Sequence, residues 1–138
     1  MRHRPDEEPA ASLLWGDVRL ENCVIGDDCR ARAVLDWDMA SVGAPEHDLA
    51  WLTSLECTMH HLVGQRVDEF PDRDSTVARF EELSGRPMMD FEWYETFAMV
   101  RSTAIMTRLN VLRQEVGKPV LLPLQQNPLL DLLRRRLS

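Results

Sequence analysis

The chain has 138 residues, 44% of them apolar and 28% charged, which suits one globular domain and excludes wholesale disorder or a collagen-like fibre. A net charge of −7 works against nucleic-acid binding, because displacing counterions from a phosphate backbone takes clustered Lys and Arg, and against an anionic membrane surface. The imbalance is local, with eleven acidic and five basic residues in 1–48, while Lys118 is the one lysine beside fifteen arginines. Residues 1–12 are polar, carry Pro5 and Pro9, and read as a flexible lead-in with no apolar run of the signal-peptide kind. Residues 13–138 read as one folded unit.

Ser12 to Trp15 is a short apolar approach to Gly16-Asp17. Cys23-Val24-Ile25 and Ala33-Val34-Leu35, separated by Gly26-Asp27-Asp28, predict a strand, a turn and a strand. After Gly43 the period changes. Pro45 suits the first turn of a helix, Glu46 and Asp48 suit its positive end, and Leu49, Leu52, Leu55, Met59 and Leu62 recur at helical spacing. Pro71 to Ser75 opens a second helix through Val77, Phe80 and Leu83, stopped by Gly85 and Pro87. Asp90 is placed to cap a long third helix carrying Tyr94, Phe97, Ala98, Ile105, Leu109, Leu112 and Val116, closed by Gly117 and Pro119. Pro128 opens a last helix, Leu129 to Leu137, with Arg134, Arg135 and Arg136 complementing its C-terminal dipole. The expected class is α+β, mostly α: a small β-hairpin plus about four helices. No apolar run is long enough for a membrane span.

The chemistry is concentrated early. Asp17 precedes Asn22 by five residues in a loop, and Asp36 follows the second hairpin strand. This pattern is similar to the catalytic loop of protein kinases, where an Asp takes the acceptor hydroxyl proton and an Asn and a second Asp hold magnesium. Phosphoryl transfer asks for that set: a base beside the nucleophile and hard oxygen ligands for Mg²⁺. Leu14-Trp15-Gly16-Asp17, Asn22, Val34-Leu35-Asp36-Trp37, Gly43, Pro45 and Asp48-Leu49-Ala50-Trp51 resemble the C-terminal half of the aminoglycoside phosphotransferase-like family. Trp93 to Phe97, running on to Arg101, resembles the helical region that follows. The resemblance implies a kinase-like fold and the transfer of a phosphoryl group from ATP, with Mg²⁺, to a hydroxyl of a small molecule. It implies Asp17 as the catalytic residue, Asn22 and Asp36 as metal ligands, and Asp48 as a structural residue bonding the catalytic-loop backbone. Trp15 stands where the family usually has His. The family's N-terminal lobe, with its phosphate-covering loop and lysine, has no counterpart here, so the chain reads as a C-terminal lobe. It could also be an inactive remnant that self-associates or binds a partner through the apolar surface so exposed.

Other residues carry weaker readings. Arg19 is a candidate contact to a phosphate or substrate anion, against a solvated surface arginine. Arg101 faces the same choice, with an ion pair inside the helical lobe preferred. Asp36-Trp37-Asp38 also resembles the start of haloacid-dehalogenase-type phosphatases, which require a parallel sheet. Trp37 and Trp51 read as core rather than as a stacking platform. Cys57, His60 and His61 share one helix, but too few ligands converge for zinc and a helix flank is the preferred reading. The leucines of 129–137 read as packing or a partner surface. Cys23, Cys29 and Cys57 form no CxxC and read as reduced thiols of a cytoplasmic protein.

Overall fold

The computed structural model describes residue 5, residues 9–63 and residues 71–137, without the side chains of 57–63, 124, 129 and 137. Four short strands come first: β1 Ser12–Leu14, β2 Cys23–Ile25, β3 Ala31–Val34 and β4 Ser41–Gly43. Four helices follow: α1 Glu46–Val63, α2 Arg73–Ser84, α3 Phe91–Glu115 and α4 Pro128–Leu137. Single 3-10 turns cover Leu20–Asn22 and Leu124–Gln126. The mostly helical α+β class is therefore the observed one. No helix among the described residues is long and apolar enough to cross a membrane.

β2 and β3 form the expected antiparallel hairpin, with Cys23 opposite Val34 and a bulge between Val24 and Ile25. Its turn is longer than Gly26-Asp27-Asp28, since Gly26 N–H donates to Arg30 O and Cys29 sits at a φ of 58°. A second antiparallel pair was not expected: β1 pairs with β4, Leu13 opposite Val42. The pair brings the two ends of the 12–43 segment together just before α1. Both sheets are antiparallel, so the parallel sheet that the dehalogenase-type reading requires is not what these strands form.

The core lies between α1 and α3. Ala44, Leu49, Ala50, Trp51, Phe91, Tyr94 and Ala98 are buried together, with Val77 and Phe80 of α2 packed on them. Trp51 is core as expected. Trp37 is not: it is 43% exposed, because it follows the hairpin on a surface that nothing among the described residues covers. Only the first half of α3 is buried. Phe97 is exposed although its ring meets His47 and Trp93, and Ile105, Leu109, Leu112 and Val116 are exposed, since the chain runs on past the elements that pack against the start of α3. α4 docks through Leu133 against Met99, which is packing; the side chains of Leu129 and Leu137 lie outside the described residues.

Polar ties lock the helices in place. Buried Glu95 of α3 accepts from Arg73 Nε at 2.7 Å and from Arg136 Nη2 at 3.0 Å, so α2, α3 and α4 meet at one carboxylate. The hydrogen bond to Glu95 pushes the Arg73 guanidinium further above its already basic range, against an opposing effect of burial. Arg136 thus reaches across to Glu95 instead of only complementing its own helix end. At the start of α1, Glu46 is fully buried and pairs with Arg86 at 3.0 Å. Asp72 caps α2 by accepting from Ser75 N–H at 2.8 Å. Asp90 does not cap α3 with its side chain. It sits in the left-handed region, φ 48°, and only its carbonyl bonds into the helix, to Trp93 N–H.

Candidate active site

The site is built on the loop leaving β1. Leu14 is buried, and Trp15 and Gly16 turn their backbone N–H groups onto one carboxylate of α1. Asp48 Oδ2 accepts from Trp15 N–H at 2.7 Å and Oδ1 from Gly16 N–H at 2.9 Å. A half-buried Asp in the first turn of a helix is well placed for this, because the positive helix end favours its charge. Gly16 has a φ of +89°, and a Cβ there would lie 2.2 Å from Met39 O. Only glycine fits. The loop is therefore wedged between α1 and the segment that follows Asp36.

Asp17 projects from this clamp with its side chain 14% exposed. Trp51 Nε1 donates to Oδ1 at 3.2 Å. Asn22 Nδ2 donates to Oδ2 at 3.1 Å and to the Asp17 carbonyl at 3.2 Å. Arg19 Nε lies 3.2 Å from Oδ2. The carboxylate is thus oriented at both oxygens. Arg19 is half-exposed and pairs with Asp17 itself, an arrangement that neither sequence reading of it anticipated.

Asn22 is buried at the end of the 3-10 turn, whose N–H bonds back to Arg19 O. Its carbonyl accepts from Leu35 N–H at 2.8 Å, which ties the loop to the end of β3. Asp36 comes one residue later. It is exposed, sits at a φ of 59°, and makes no hydrogen bond or ion pair among the described residues. Trp15 Nε1 donates to Leu35 O and Trp37 Nε1 to Val34 O, with the two rings 6.1 Å apart. Asp17, Arg19 and Asn22 therefore meet directly, and Asp36 is reached through the Asn22–Leu35 backbone bond.

The donor chemistry suits a hard cation. With Nδ2 of Asn22 committed to Asp17, its side-chain Oδ1 is the atom left to coordinate, and Asp36 offers a carboxylate with no competing partner among the described residues. No group of three or more His, Cys, Asp or Glu side chains among the described residues could hold a metal by itself. The Cys57, His60 and His61 side chains lie outside the described residues. His47 packs edge-on against Tyr94 and Phe97.

Two residues named in the sequence reading take part in the site in ways it did not anticipate. Trp51 lies three residues after Asp48 on α1, so the two share a helix face, and that spacing was the available signal. Arg101 donates from Nη2 to Gly16 O at 3.0 Å and lays its guanidinium 4.4 Å from the Trp51 ring centre. It forms no ion pair among the described residues, contrary to the preferred expectation, because the loop carbonyl and the indole face take up its guanidinium. No local signal connects residues 85 positions apart.

The sequence profile of the phosphotransferase enzyme family matches residues 1–88, a stretch that includes Asp17, Asn22, Asp36 and Asp48. The chain is 41% identical over 84 residues to acyl-CoA dehydrogenase family member 11 of Pongo abelii, a match covering 60% of this chain and 11% of that protein. It is 43% identical over 51 residues to the Homo sapiens protein of the same name, covering 36% and 6%. The chain therefore spans about a tenth or less of the length of these relatives. In structure it is similar to a Ralstonia eutropha protein provisionally assigned as an aminoglycoside phosphotransferase, with a TM-score of 0.65 and 26% identity, over 91% of this chain and 39% of that one.

Proposed function

The chain belongs to the phosphotransferase enzyme family, and on that premise we propose that it is the C-terminal catalytic lobe of an ATP- and Mg²⁺-dependent phosphotransferase acting on a hydroxyl of a small molecule. The observation that carries this reading is the Asp17 carboxylate, held at Oδ1 by Trp51 and at Oδ2 by Asn22 and Arg19, on a loop gripped by Asp48. A general base must hold its lone pairs toward the proton it accepts, and these bonds restrict where they point. Asp17 orients the acceptor hydroxyl and takes its proton as the oxygen forms its bond to the γ-phosphorus and the bond to ADP breaks. Asn22 Oδ1 and Asp36 hold Mg²⁺, which when bound offsets charge on the phosphate oxygens. Arg19, half-exposed beside the carboxylate, would meet a phosphate or an anionic acceptor. The reduced thiols suit a cytoplasmic setting.

Calorimetric titration of MgATP into this chain, with Asp36→Asn beside it, tests the reading. Binding by the wild type that the substitution abolishes supports it. Binding that Asp36→Asn leaves unchanged, or none by either protein, removes this metal pair as the nucleotide site of the chain.

A second reading is favoured by a different observation. Leu13 and Val42, paired across β1 and β4, are 68% and 76% exposed, and Leu20, Val24, Ile25, Leu35, Trp37 and Met39 add to the apolar surface of the same segment. Exposed apolar residues in this number on one short segment suit a module that pairs with a second copy of the chain. Light scattering across a size-exclusion peak decides it: a stable dimer indifferent to nucleotide supports the module, and a strict monomer at high concentration rejects it.

A further inference from the structure

We infer that Arg101 is a positioning residue for Asp17, an inference that rests on the catalytic reading of Asp17 given above. Arg101 reaches the loop from α3, and it acts on Asp17 from two sides. Its Nη2 donates to Gly16 O at 3.0 Å. That carbonyl belongs to the peptide that leads into Asp17. The N–H of the same Gly16 is held by Asp48 of α1. Gly16 is therefore gripped at its nitrogen by one helix and at its oxygen by another, with Met39 O closing the third side. The plane from which the Asp17 Cα departs has little freedom left.

The second action is on the carboxylate. The Arg101 guanidinium lies 4.4 Å from the centre of the Trp51 ring, and the same indole donates from Nε1 to Asp17 Oδ1 at 3.2 Å. A guanidinium lying over the ring face restrains the indole that aims its N–H at Asp17. One side chain thus steadies both the backbone entry to Asp17 and one of its two oxygens. A planar guanidinium can stack by its face while donating from its edge, whereas an ammonium offers a point charge and no plane. An arginine serving only to hold the helices together would more economically meet a carboxylate, and among the described residues Arg101 meets none.

The test uses the full chain labelled with ¹⁵N, with the Trp51 indole N–H resonance identified by its loss in Trp51→Phe. In Arg101→Gln that resonance moves, and its exchange with water speeds up by about tenfold. Arg101→Lys, which keeps the charge and the reach to Gly16 O but loses the plane, gives a smaller change in the same direction. Asp17→Asn also shifts the signal, and combining it with Arg101→Gln adds less than the sum of the two, since both changes break one coupled unit. An Arg101→Gln protein that melts cooperatively with the Trp51 signal and its exchange unchanged overturns the inference, and so does strict additivity with Asp17→Asn. If Arg101→Gln does not fold, Arg101→Lys decides by the same readout. The MgATP titration keeps the two proposals apart. Nucleotide binding intact with no Arg101–Asp17 coupling removes only the role of Arg101, while coupling present with no nucleotide binding removes the Asn22–Asp36 pair as the nucleotide site and leaves the role of Arg101 standing.

Discussion

At Gly16, two different costs of adding a methyl group can be separated by comparison with Gly85. Both have positive φ, +89° and +69°, but a Cβ at Gly16 would meet Met39 O at 2.2 Å whereas Gly85 has nothing within 4 Å. Gly85→Ala is therefore expected to cost only the left-handed strain, about 1 kcal/mol. Gly16→Ala adds a backbone clash that neither partner can relieve by rotating a side chain, and is expected to cost about 3 kcal/mol or more. Denaturant unfolding of the two variants measures the difference. Equal losses would show that the loop shifts freely and is not wedged against Met39. The expectation also reaches the site, because displacing Gly16 moves the amides that Asp48 holds and the carbonyl that Arg101 holds.

The helices show what a sequence can and cannot reveal about itself. Asp72 and Asp90 both precede a helix and both invite a capping role, yet only Asp72 bonds a backbone N–H with its side chain. Asp72→Ala is expected to destabilise by about 1 kcal/mol, while Asp90→Gly, which relieves a left-handed φ and removes no side-chain cap, is expected to be neutral or mildly stabilising. Chemical denaturation of each variant checks the pair, and a matching loss in both would mean that Asp90 does cap in solution. The starts of the four helices, and the stops of α2 and α3, were legible because Pro, Gly and Asp act on their immediate neighbours. The β2–β3 hairpin was legible for the same reason. The pairing of β1 with β4 was not, because two three-residue strands some thirty positions apart carry no local period, and what joins them is the closure of the whole loop segment. The candidate site divides along the same line. Asp17, Asn22 and Asp36 stand out by spacing, and Asp48 through the family resemblance. Trp51 and Arg101 enter only once α1 and α3 are packed, since their contacts to Asp17 and Gly16 cross 34 and 85 positions.

Across the whole molecule, Glu95 joins what the apolar core leaves loosely held. Among the described side chains α4 offers Leu133, buried against Met99, and the partly buried Leu132, and Arg136 adds a polar tie, its guanidinium reaching Glu95 Oε2, Glu92 O and Thr96 Oγ1. Arg73 reaches the same carboxylate from the start of α2 while lying over the Phe91 ring. Both arginines are partly exposed and Glu95 is not, which makes the consequences of removing them unequal. Arg73→Ala leaves Glu95 paired with Arg136 and is expected to cost about 1 kcal/mol, since exposed partners contribute little. Glu95→Ala releases two helices at once and opens a space among buried side chains, and is expected to cost about 2–3 kcal/mol. The pH dependence has a definite sign. Glu95 raises the Arg73 value, so this group's contribution is fully present below the ordinary arginine range and is lost only as pH climbs past the raised one. The stability gap between wild type and Glu95→Ala should therefore be the same at pH 7 and about pH 10. Paired urea melts at the two values measure it. A gap that closes at the higher pH would show that the tie depends on a group other than these arginines, and would return the attachment of α4 to Leu133 and its apolar neighbours.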